Sequence, residues 1–134
     1  MQPGRYATEI NIHNYHDAEV ELEKKFVPVV LAGAASGREP GVARPRAVDK
    51  IILPPHAATM DDCCRMAELL FGAAPSSAIP LTIGFLEITS RKELSVTAVY
   101  TATNIASRGV SIDVQQIEGR KVGQAQRATK EEHK

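Results

Sequence analysis

The residues with the most latent chemistry are two adjacent cysteines, Cys63 and Cys64, flanked by Met60 and Met66. Thiolate and thioether sulfur favour soft cations such as Cu(I) or zinc. The spacing is not Cys-x-x-Cys, however, and free cysteine and methionine are frequent core residues, so buried packing is the expected role. As a catalytic thiol either cysteine needs a positioned base and a lowered pKa. Arg65 is adjacent, but no residue is marked as a base. A vicinal disulfide is strained and closes no useful loop, which points to reduced thiols and a cytoplasmic protein.

Other groups could bind rather than react. His13 and His16 form a His-x-x-His pair followed by Asp17. Residues three apart on a strand point to opposite faces, so a surface turn is favoured over a metal site. His56 has no acidic or cysteine neighbour in sequence. Asp61 and Asp62 lack the oxygen-rich loop that a hard cation requires, and capping a helix explains them better. Glu19, Glu21 and Glu23 read as one solvated strand face, or as a surface that pairs with basic residues of a neighbouring subunit. Arg38, Arg44, Arg46 and Lys50 could form a basic patch for an anionic sugar, a nucleotide or a membrane-protein tail. The glycines of that loop match no phosphate-cradling motif. With no Trp, three Tyr and three Phe, stacking platforms for bases or sugar rings are scarce, and nucleic acid is a poor candidate partner. No catalytic residue, metal ligand set or cofactor is expected.

The elements that must position these groups are mainly strands. Arg5 to His13 alternates, with Tyr6, Ile10 and Ile12 on one face. Asn14 to Asp17 reads as a turn leading into a hairpin partner, Ala18 to Leu31, where Val20, Leu22 and Phe26 oppose Glu19, Glu21, Glu23 and Lys25. Pro28 should make the second half an edge or a kinked continuation. Ala32 to Pro45 reads as a long loop. Val48 to Leu53 and His56 to Asp61 read as short strands around Pro54-Pro55. Asp61 or Asp62 can cap a short helix to Phe71, with Gly72 ending it. Ala73 to Pro80 is a loop. Leu81 to Thr89 and Leu94 to Thr103 read as a second hairpin across Ser90 to Glu93. In Gly109 to Ile117 the side chains Val110, Ile112 and Val114 are expected to point inward. The tail from Gly119 to Lys134 is polar. The expected fold is all-β, an antiparallel immunoglobulin-like β-sandwich of about seven strands with one short helix. It comprises one domain over residues 1–118 and a polar C-terminal tail over 119–134.

Length and charge narrow the options further. With 134 residues there is room for one core and no second full domain. Sixteen basic and sixteen acidic residues cancel, so no global field draws nucleic acid or anionic lipid, and the missing self-repulsion favours association. No apolar run reaches bilayer-spanning length, so no membrane insertion is expected.

The segments Gly84 to Ser90 and Glu93 to Ala102, with the opening Tyr6 to Asn14 and the closing Ser111 to Val114, resemble small bacterial β-sandwich proteins. More distantly, the order of strand, Asn turn, strand, Pro-led strand and closing hairpin resembles the sensory rhodopsin transducer family. That resemblance implies β-sandwich protomers that assemble into homotetramers and bind a membrane photoreceptor, with DNA or carbohydrate as further ligands of the family. No family motif supplies a ligand residue. Together the residues and the resemblance point to a non-enzymatic homo-oligomer, a structural or scaffold module whose partner is itself. The alternative is a ligand-binding or signalling adaptor that recognises another protein or an anionic ligand through the arginine-bearing loop.

Overall fold

The computed structural model describes residues 4–72, 81–104 and 109–122. The protein is mostly β, with two antiparallel sheets and one short helix. The strands are β1 (Gly4–His13), β2 (Val20–Leu31), β3 (Ala34–Ala35), β4 (Ala47–Leu53), β5 (Ala58–Asp61), β6 (Ile83–Ser90), β7 (Ser95–Asn104) and β8 (Val110–Ile117), and the helix α1 spans Cys63–Phe71. The first sheet has the order β5-β1-β7-β8, and in the second β2 pairs with β3, β4 and β6. The core joins the two: Ile12 of β1 packs with Leu22 of β2 and Leu53 of β4, supported by Ile10, Ile51, Ile88, Leu94 and Val96.

Both expected hairpins are absent as ladders. β1 pairs with β5 and β7 and not with β2, while β6 pairs with β2 and β7 pairs with β1 and β8. The short connections after β1 and after β6 therefore carry the chain from one sheet to the other. Asn14 explains the first crossing. Its side chain is fully buried, and its Nδ2 donates to the carbonyls of Ala18, Leu53 and Pro54 at 2.9, 3.1 and 3.0 Å. Its Oδ1 accepts from the His16 amide at 3.0 Å, and its own amide donates to Ala57 at 2.9 Å. One side chain thus ties the β1–β2 connection to the β4–β5 turn, closing orphan carbonyls that would otherwise be costly inside.

The strand β2 runs through Pro28 to Leu31 as a kinked continuation. Its pairing with β4 ends at Phe26↔Ala47, and the register to β6 shifts between Pro28 and Val30, so the missing proline N–H falls where the ladder is already irregular. Gly84 lies opposite this point. A Cβ there would collide with the Val27 carbonyl oxygen, so the close approach of β6 to β2 requires glycine. The long loop is partly structured: Ala32 (φ 49°) and Gly33 (φ 84°) form a two-residue connection that folds β3 back on Val30 and Leu31. Positive φ at both residues is what a tight primed hairpin turn demands.

The helix behaves as its sequence predicts. Asp62 accepts from the Arg65 amide at 2.9 Å, and Gly72 adopts a left-handed C-cap (φ 80°) whose N–H reaches Glu68. The expected strand at His56 begins two residues later. Pro54 to Ala57 forms a turn closed by the Ala57 N–H on Pro54 O, with His56 at φ 58°. The expected loop over 73–80 and the tail beyond residue 122 lie outside the described residues.

The largest departure concerns β8. Antiparallel partners share a sheet face. Val96 and Ala98 face the core, and they pair with Ile117 and Gln115. Val110, Ile112 and Val114 pair with Thr103, Thr101 and Val99 and so lie on the face turned away from the core, 63, 65 and 58% exposed. The expectation that they point inward is wrong.

Candidate functional site

Three places in this frame hold unusual side chains. The first is inside. Lys24 sits at the same parity of β2 as Leu22 and Phe26, which directs it to the core face, and it is only 3% exposed. Its Nζ bonds Asp61 Oδ1 at 2.7 Å and lies 3.3 Å from Asp49 Oδ2. Asp49 is the direct cross-strand partner of Lys24 on β4, whereas Asp61 ends β5 in the other sheet. Arg65 of α1 completes the cluster, reaching Asp49 Oδ2 at 3.2 Å and Glu68 Oε2 at 3.1 Å. The hydrogen bond to Glu68, more than that to Asp49, holds the Arg65 pKa above its ordinary value. Asp61 Oδ2 is buried without a hydrogen-bond partner among the described residues. Buried ions need pairing, and here the pairing clamps sheet to sheet and helix to sheet. The Lys24 amine is thus held between two carboxylates and closed to solvent.

The second place is the outward side of the first sheet. A shallow depression of about 330 Å³ lies over β5, β1 and β7, lined by Asn11, His13, Thr59, Met60 and Thr97 among others. His13 is its single titratable group. Beyond β7 the same side continues into Val110, Ile112 and Val114. Among the described residues β8 pairs only with β7, and its other edge is open over eight residues. One charge, Asp113, and neither Lys nor Pro guard that edge. Among the described residues, seven hydrophobic side chains are buried while fifteen large ones are exposed. The described residues therefore carry much exposed apolar surface.

The third place is the first turn of α1. Cys63 and Cys64 are both exposed, and their Sγ atoms lie 3.7 Å apart. The expectation of buried packing is overturned: Ala67, not the cysteines, is the helix residue that faces the core. The Cys64 thiol is held above its ordinary pKa, first by its hydrogen bond to Cys63 and then by repulsion from that neighbour's charge.

The basic residues singled out from the sequence fall on the β3–β4 loop and on β4. Arg38 and Arg44 lie on the exposed β3–β4 loop, and Arg46 donates its backbone N–H to Phe26 O at 3.0 Å. Lys50 is an exposed β4 residue 3.6 Å from Glu23, which also pairs with Lys25 at 3.3 Å. Among the described residues Arg38, Arg44 and Arg46 have no acidic partner within ion-pair distance. The histidines stay apart as ligands. His16 Nε2 meets Glu93 O at 2.6 Å, and His56 Nε2 meets Asp17 Oδ1 at 2.7 Å on the surface. No group of three or more His, Cys, Asp or Glu side chains among the described residues could hold a metal ion. No helix among them is long and apolar enough to cross a membrane.

Sequence reading missed the Lys24 cluster and misassigned the face of β8. The signal for Lys24 was present, since it occupies the apolar parity between Leu22 and Phe26. Comparison with protein-family models, with curated proteins and with solved structures finds no match to this chain.

Proposed function

We propose that this protein is a non-enzymatic homo-oligomeric structural or scaffold module, built from immunoglobulin-like β-sandwich protomers that meet through the open edge and outward side of β8. The observation that carries the reading is the exposure of Val110, Ile112 and Val114 on a strand whose outer edge has no partner among the described residues. An unguarded edge of this length templates pairing, and a second copy offers a matching one. Zero formal net charge removes the long-range repulsion that would oppose the encounter. The side chains are in keeping with this reading: the buried Lys24 is held in ion pairs, and His13 is the single titratable group lining the depression over β5, β1 and β7. Size-exclusion chromatography with light scattering at high micromolar concentration is expected to give a discrete oligomer. A clean monomer sinks the reading.

A second reading rests on a different observation. Arg38, Arg44 and Arg46 stand exposed without an acidic partner among the described residues, as in an adaptor that recognises an anionic ligand through its long loop. Calorimetry with a sulfated polysaccharide as probe tests it. Binding at low salt that the triple Arg→Ala variant loses supports the adaptor, and identical heats for both proteins refute it.

A further inference from the structure

We propose that Cys63 and Cys64 form a chelating dithiol for a thiophilic, tetrahedrally coordinated cation of the zinc and cadmium class. Both side chains are exposed, so a solvated cation can reach them without opening the fold. Their separation suits such an ion. Two thiolates bound at about 2.3 Å to one tetrahedral centre stand roughly 3.8 Å apart, and the two Sγ atoms already lie 3.7 Å apart. Chelation therefore requires little movement of either sulfur. A linear two-coordinate ion would need its sulfurs farther apart, and a disulfide would need them far closer.

The surroundings add negative charge and rigidity. Asp62 precedes the pair and Glu68 lies one helical turn beyond, and both act electrostatically on Cys64. Asp62 is fixed as the N-cap, and Arg65 anchors the same turn to Asp49 of β4. The dithiol is thus carried on a capped helical turn that the Arg65–Asp49 ion pair ties to β4. On binding, the divalent cation forms two metal–sulfur bonds and two protons leave for the buffer. The remaining coordination positions fall to solvent, because the described residues supply no third His, Cys, Asp or Glu ligand. This inference stands apart from self-association and from the arginine loop.

Cadmium(II) titration of the reduced, full-length protein tests it, read through the ultraviolet thiolate-to-cadmium charge-transfer band. A saturable band at one cadmium per chain is expected, lost in both Cys63→Ser and Cys64→Ser. Because both residues are exposed, each variant should keep the wild-type urea midpoint, which separates loss of binding from loss of folding. No saturable band in the wild type overturns the proposal, as does a band that survives in either folded single variant.

Discussion

Replacing Lys24 with methionine removes the cation that the described structure places against Asp61, while leaving a side chain of similar length on the core face of β2. Asp61 Oδ1 then loses its 2.7 Å partner, and Oδ2 already has none among the described residues. A carboxylate 1% exposed would be left uncompensated, a situation that costs about 3–5 kcal/mol. Asp49 would suffer less, since it is more exposed and keeps Arg65 at 3.2 Å. The second arm is Lys24→Met combined with Asp61→Leu. Well-packed apolar replacements for a buried ion pair are often neutral or stabilising by about 1–4 kcal/mol, and the double variant also removes the unsatisfied Oδ2. Its stability should lie within about 1 kcal/mol of wild type or above it. Urea denaturation followed by circular dichroism, at one fixed protein concentration because assembly would shift the midpoint, gives the cycle. A coupling energy below about 0.5 kcal/mol, or a single variant as stable as wild type, would refute the sheet-to-sheet clamp.

Other perturbations have equally definite outcomes. Asn14→Ala strands three carbonyls that now share its Nδ2 and should cost about 2–4 kcal/mol in the same denaturation assay. Gly84→Ala drives a Cβ into the Val27 carbonyl and should lower the thermal midpoint, whereas Gly119→Ala, with open space around it, should not. In Cys63→Ser the Cys64 thiol loses the hydrogen bond and the neighbouring charge that raise its pKa. The pH profile of its alkylation should then move to lower pH, and an unmoved profile contradicts the coupling.

The sequence made the strands and the helix readable because alternation and capping are local. Asp62, Gly72 and the parity of Val20, Leu22 and Phe26 all behave as their types demand. Strand pairing is not local. A four-residue connection such as Ser90 to Glu93 is compatible with a hairpin, and only the register of β6 on β2 shows that it crosses between sheets. Period-two spacing places Val110, Ile112 and Val114 on one side of β8 but cannot say which side meets the core. That is decided by Val96 and Ala98 on β7, which pair with the core-facing Ile12 and Ile10 of β1. Lys24 was visible as a cation at an apolar parity, yet its partner Asp61 lies 37 positions away in the other sheet. The cysteines misled because their usual preference for the interior gave way to the helix orientation set by Ala67.

Amide hydrogen exchange along β8, measured at low and at high protein concentration, tests assembly through this edge most directly. Among the described residues the outward-directed amides of the strand have no partner, so in a single chain they should exchange quickly. Assembly through the edge predicts that protection of residues 110–117 rises with concentration, in step with the mass from light scattering, and that Ile112→Lys abolishes both. Fast exchange of β8 at every concentration, with or without an oligomer, would contradict the assignment of this edge as the interface.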